Sequence, residues 1–255
     1  MAKKSLIDET AFNRDAVLPY TLRIDDFKHA MLDVYDFFSD VNSLLSGKGL
    51  QRLDDMMRPA AMSGLISDMV TATLARSSRS LVENKYFNGH PDLVVRGKYP
   101  NDEVKAGVEG VEIKTTRKPG GAVDTHGARD QWMCVFVYAV DTDTEPAVNR
   151  APMRFTEVYL AHVEEADFRK NPRGELGTKT ATLHEEGVAK LRKYWIYLEA
   201  NGDAARAAKA ASDAAKAAEK AAKTAAKAAE RAAAKAAAKA AKVAERAATN
   251  SVKIN

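Results

Sequence analysis

Cysteine is almost absent: Cys134 is the only one in 255 residues, so no disulfide can form within the chain and no thiolate cluster is available for zinc. Histidine is also sparse, five residues with no metal-ligand spacing among them. No apolar run is longer than about the stretch Trp132 to Val140, far short of the ~20 residues that a membrane span requires. The opening MAKKSLIDET lacks the apolar core of a signal peptide, and Gly120-Gly121 is a turn signal rather than a phosphate-binding loop. These absences argue against secreted disulfide scaffolds, zinc modules, P-loop nucleotidases and membrane proteins. The expected compartment is reducing and cytoplasmic, and Cys134, inside an apolar run, is expected to be a small core residue.

Charge is unevenly placed. The whole chain carries +4, but Asp203 to Arg246 alone holds eleven Lys or Arg against five Asp or Glu, a local +6. The remainder is therefore at −2, slightly acidic, and all the net positive charge lies in the last fifth of the chain. That division suits a nearly neutral body with a basic extension for a polyanion.

What is abundant is periodicity. Phe27, Met31, Val34, Phe38, Val41 and Leu45 recur at helical spacing behind Asp25 and Asp26, which suit a helix N-terminus, and Gly47 and Gly49 end the segment. The stripe fits either a core face or a homodimer interface. Pro59 suits the first turn of a second helix that carries Leu65, Ile66, Met69, Val70, Thr73 and Leu74 toward Arg76. A further helical stretch is expected at Leu81 to Phe87, ended by the Asn88-Gly89 turn. Strands are expected over His90 to Val95, Gly110 to Thr116, Gln131 to Val140, Arg154 to His162, Thr178 to Leu183 and Tyr194 to Leu198, with a short helix at Glu185 to Lys193. Helices first and strands afterwards predict an α/β or α+β body. Residues 1–80 form an N-terminal helical segment packed on the core, 81–200 the core and 203–248 a tail.

Two strands carry chemistry. In Val111-Glu112-Ile113-Lys114 the alternation of a strand puts the carboxylate and the ammonium on one face, with Val111 and Ile113 toward the core. If the strand bearing Asp92 lies alongside, two carboxylates converge on a point where a hard divalent cation can bind, with Lys114 next to it. Such a grouping suits metal-assisted hydrolysis. The plainer alternative is a surface turn followed by an edge strand with solvated charges.

Pro91-Asp92, followed about twenty residues later by Glu112-Ile113-Lys114, resembles the motif of the PD-(D/E)XK nuclease superfamily. The resemblance covers Leu81 to Val140 and extends loosely to Leu198. It implies a restriction-endonuclease-like mixed β-sheet flanked by helices, in which Asp92, Glu112 and the Ile113 carbonyl ligate Mg²⁺, with Mn²⁺ as a substitute, and Lys114 positions the attacking water. It also implies an acidic residue on a preceding helix, a place that Glu83 occupies. The family core has a helix between the Glu-x-Lys strand and the next. Here only Arg117 to Asp130 is available, interrupted by glycines, so a short helix or a loop is expected. Arg117, Lys118, His126 and Arg129 in that stretch are candidates for DNA contact, as are Lys190, Arg192 and Lys193 at the end of a later helix.

From Ala204 to Ala248 alanine, the best helix former, is interspersed with lysine, mostly at spacings of three or four. On a single helix the basic residues, among them Lys216, Lys220, Lys223, Lys227, Arg231 and Lys235, fall within an arc of about 160°, giving a stripe roughly 65–70 Å long. Like charges at this spacing repel, and a phosphate lattice would relieve them. The expected protein is thus an Mg²⁺-dependent endonuclease acting on double-stranded DNA, held at the nucleoid through that DNA. A type II restriction enzyme is the leading subtype, with no small-molecule cofactor and with a homodimer implied by the resemblance. A non-specific or repair nuclease of the same fold and a catalytically silent DNA-binding protein are the alternatives.

Overall fold

The computed structural model describes residues 3–121, 123–170 and 180–199. By contacts the chain divides into two units, Met1–Arg206 and Ala207–Asn255. The expected Ala/Lys-rich helix, with Lys216, Lys220, Lys223, Lys227, Arg231 and Lys235, lies outside the described residues, as do the first two residues of the strand expected from Thr178.

Helix α1 (Ile24–Gly47) buries Phe27, Ala30, Met31, Val34, Tyr35 and Phe38. Phe27, Met31, Val34 and Phe38 of its apolar stripe are therefore used inside the chain itself, while Val41 and Leu45 are half-buried. The cap differs in detail from expectation: Arg23 is the N-cap residue, and Asp26, at the third helical position, accepts its backbone N–H at 2.8 Å. A single turn, α2 (Leu53–Met56), leads to α3 (Pro59–Ser77), which has proline in its first turn. Ser78 stops α3 in an extended conformation, and its hydroxyl accepts the Leu81 N–H at 3.0 Å. The chain then enters a strand, β1 (Leu81–Glu83), where a helix was expected, because Leu81 to Glu83 find a partner in β2 (Leu93–Val95).

The remaining strands are β3 (Gly110–Thr116), β4 (Asp124–Thr125), β5 (Gln131–Ala139), β6 (Arg154–Val163), β7 (Phe168–Lys170), β8 (Ala181–Leu183) and β9 (Trp195–Leu198), with helix α4 (Glu185–Lys193) before the last. They form a mixed six-stranded sheet, β1-β2-β3-β5-β6-β9, in which only β3 and β5 run parallel, and a small antiparallel sheet, β4-β8-β7. The protein is thus of mixed α/β type.

Both faces of the large sheet are covered, which explains the unbroken apolar run of β5. Cys134, Phe136 and Tyr138 point into one core with α1 and α3; Met133, Val135 and Val137 point into a second with α4, β7 and β8. Cys134 is a core residue as expected, and burial pushes its thiol up, away from reactivity. No helix among the described residues is long and apolar enough to cross a membrane.

The connection from β3 to β5 contains no α-helix among its described residues. Gly120 and Gly121 turn it with positive φ, and β4 pairs with β8. Two groups hold the turn over the sheet: buried Glu157 accepts the Gly120 N–H at 2.7 Å, and Arg192 of α4 donates to the Gly120 carbonyl at 3.1 Å. The Gly120 φ of 82° favours glycine, and a Cβ there would displace the Arg192 guanidinium from the turn. Lys190 is likewise engaged within the protein, on Asp167 at 3.0 Å, and His184 caps α4 by accepting the Gly187 N–H.

Candidate active site

Strand β3 fixes the site because it is held on three sides. It pairs with β5 along Val111 to Thr116 and with β2 at Leu93 and Val94. From α3, Ser67 Oγ donates to the Ile113 carbonyl at 3.3 Å, and the Ser63 carbonyl accepts from Thr115 Oγ1 at 2.6 Å. Val111 and Ile113 join the core with α1 and α3, so alternation sends Glu112 and Lys114 to the other face, as the sequence predicts.

Immediately before β2 begins, the Asp92 side chain takes the role of a ladder partner. Its Oδ2 accepts the Ile113 N–H at 2.7 Å, which brings the carboxylate to the middle of the Glu-x-Lys segment. Glu112 is 2 % exposed; Lys114 Nζ donates to its Oε1 at 2.6 Å, and His90 Nδ1 lies 3.3 Å from its Oε2. Asp92, Glu112, Ile113 and Lys114 are thus assembled at one place. His90 joins them without having been singled out in the sequence. Strand alternation gives no signal for it, because the chain bends at Pro91 and Asp92 before β2 begins.

Electrostatics separate the two acids. Burial, reinforced by the charge of Glu112, raises the Asp92 carboxyl to about 6. Burial acts in the same sense on Glu112, but the hydrogen bond from His90 and the contact with Lys114 outweigh it and hold that carboxyl down at about 2. Burial would lower Lys114; the carboxylates of Glu112 and Asp92 overcome this and raise it, so it stays protonated at neutral pH.

Linkage gives a test. Asp92 binds its proton more tightly in the folded state, so its contribution to stability is greatest below the ordinary carboxyl range and is lost as pH rises through about 6. In EDTA, Asp92→Asn should raise unfolding free energy by about 1–2 kcal/mol at pH 7.5, with the gain gone near pH 4, since asparagine Oδ1 can still accept the Ile113 N–H. Denaturant titrations at the two pH values measure it; a gain independent of pH would point to packing instead.

Of the other expected residues, Arg129 is near enough to act on Lys114 electrostatically and donates to the His126 carbonyl at 2.8 Å, while His126 is itself exposed. Arg117 is not brought in. It continues the Val111, Ile113 and Thr115 face and donates to the Val140 carbonyl at 3.3 Å. Lys118 is exposed on the following turn. Glu83 lies on β1 rather than on a helix; it pairs with Leu93 and so shares the face opposite Glu112, with its side chain exposed. It is not a member of the site.

Among the described residues no three His, Cys, Asp or Glu side chains are grouped as a ready-made cage for a metal ion. The oxygens that could hold one are those of the Asp92 and Glu112 carboxylates and the Ile113 carbonyl, which also accepts from Ser67. Hard oxygen donors in that number fit Mg²⁺, which keeps several of its waters and usually takes only one or two carboxylates from a protein. No protein-family model matches the chain, and no curated protein matches its sequence.

Proposed function

We propose that the protein is an Mg²⁺-dependent endonuclease that hydrolyses phosphodiester bonds of double-stranded DNA on a restriction-endonuclease-like core, with type II restriction enzymes as the leading subtype. The observation that carries this reading is the convergence of Asp92, Glu112 and Lys114 from two segments, with Lys114 Nζ on Glu112 at 2.6 Å and Asp92 on the backbone of the residue between them.

Asp92, Glu112 and the Ile113 carbonyl would hold the ion, and Mn²⁺ could replace it. The ion supplies Lewis-acid neutralisation of charge on the scissile phosphate. Lys114, held protonated, is a donor rather than a general base: it orients the attacking water and offsets charge on the phosphate oxygens. His90 fixes the rotamer of Glu112 through the oxygen that Lys114 leaves open. Arg129, within electrostatic range of Lys114, would contribute phosphate contact.

Incubation of mixed-sequence plasmid DNA with Mg²⁺ and then with EDTA tests the reading. Discrete, metal-dependent fragments are expected. Smearing would indicate a non-specific or repair nuclease, and retention without cleavage a catalytically silent DNA-binding protein.

The charge division of the sequence assigns the tail a tethering role within the same proposal. Deletion from Asp203 onward should weaken DNA affinity and flatten its salt dependence by ~0.9 in log-log slope for each phosphate that the tail no longer neutralises. Binding measured across a series of salt concentrations checks this; an unchanged slope would remove the tether.

A further inference from the structure

Phe87 is the most exposed aromatic side chain among the described residues, 86 % exposed, and its neighbour Tyr86 is exposed as well. A ring left in water this way is informative when the backbone beneath it is fixed. Here it is. The turn closes with Gly89 N–H donating to the Tyr86 carbonyl at 2.9 Å. Asn84 then uses its full hydrogen-bonding capacity as a clamp. Its Nδ2 donates to the carbonyls of Pro91 at 3.0 Å and Val104 at 2.8 Å, and its Oδ1 accepts the N–H groups of Tyr86 and Val104, both at 3.1 Å. Gly89 lies so close to the Val104 carbonyl that a Cβ would stand 2.4 Å from it.

The place of this turn gives it meaning. The arm that leaves it carries His90 and Asp92 directly into the site. His90 is bonded through both its peptide groups to the neighbouring segment, its N–H to the Lys105 carbonyl at 3.1 Å and its carbonyl to the Gly107 N–H at 2.7 Å. Lys105 is exposed beside it, with no ion pair among the described residues, and Val108, 72 % exposed, follows. An exposed aromatic on a clamped turn, an exposed cation and an exposed apolar side chain therefore lie on the two segments bonded to one another at His90, the residue from which the chain runs on to Asp92.

We propose that Phe87, supported by Tyr86, contacts a nucleobase of the DNA whose phosphate lies at the site, stacking on it or entering a base step. This rests on the DNA-hydrolase reading. Every base offers a π-face, so such a contact tolerates sequence, and an apolar side chain inserted at a step unstacks it and bends the duplex. Lys105 supplies phosphate contact next to the wedge.

The test uses the full chain with duplexes carrying 2-aminopurine, in EDTA so that binding is read without cleavage, and then single-turnover cleavage with Mg²⁺. Wild-type protein should raise 2-aminopurine fluorescence at one or two positions. Phe87→Ala should lose that signal and weaken binding or cleavage by roughly ten- to a hundredfold, while Phe87→Trp retains both. Its melting temperature should be unchanged, because the side chain is solvent-exposed. Unchanged fluorescence response and affinity in Phe87→Ala overturn the proposal, and so does a loss that instead accompanies dissociation of a dimer in sedimentation. A wild-type protein that perturbs 2-aminopurine without cutting removes the hydrolase reading and keeps the base contact; cutting that Phe87→Ala leaves intact does the reverse. Failure of the wild-type protein to bind duplex DNA removes both.

Discussion

Glu112→Gln is expected to lower metal-dependent cleavage of duplex DNA by about 10³-fold or more, with the protein still folded. The size follows from how many functions meet in one carboxylate. Glu112 would ligate the ion, fixes Lys114 through Oε1 and is itself fixed by His90 through Oε2. Glutamine keeps the shape and one acceptor oxygen but removes the charge, so the proposed ion site and the position of the Lys114 ammonium would be weakened together.

Stability should change far less. At neutral pH the depressed Glu112 carboxyl contributes stability that the substitution forfeits, while Asp92, relieved of a neighbouring charge, recovers part of what its own ionisation costs. The two effects oppose each other. Lys114→Met should be equally damaging to cleavage and leaves both carboxylates in place, so metal binding, followed as the rise in melting temperature on adding Mg²⁺, should survive it and be lost in Glu112→Gln. Cleavage that persists in both variants would sink the active-site assignment.

The second large effect is structural. Gly110→Ala should destabilise the protein by about 3 kcal/mol or more and displace Asp92 from Ile113. Gly110 opens β3 with φ of 154°, a region that residues with a Cβ seldom adopt. The added methyl would also stand 1.9 Å from the Leu93 carbonyl and 2.6 Å from Pro91 Cγ. Both obstructing groups belong to the segment that carries Asp92, so relief requires β2 to move away from β3. Chemical denaturation measures the stability, and the pH dependence attributed to Asp92 should vanish in this variant because its burial is lost. A normal unfolding midpoint would mean that the β2–β3 junction yields without cost.

Much of the body was legible in the chain. The strand Gly110–Thr116 and the helix Glu185–Lys193 have the bounds that alternation and helical periodicity predict, and β5 and β6 differ from expectation by one residue. These segments bury wide faces, and burial writes a regular pattern into sequence. Leu81 to Glu83 forms a strand where a helical stretch is expected, because three residues hold too little pattern to distinguish a strand from a helical turn; the pairing with Leu93 to Val95 decides it. Helix α1 shows the same limit differently. Its stripe is plain in the sequence, yet only the packing of Phe27, Met31 and Tyr35 against the sheet reveals that this part of the face is filled from within the chain.

The site divides along the same line. Glu112 and Lys114 share a face by local geometry alone, since strand alternation requires nothing beyond the chain itself. That Asp92 meets them, that His90 completes the group, and that Arg117 and Glu83 turn away depends on strand register and on backbone-to-side-chain contacts between distant segments. The sequence by itself determined the elements and the side chains of each face, because these follow from backbone periodicity. Only the tertiary structure decided which faces meet, because that is set by contacts between residues far apart in the chain.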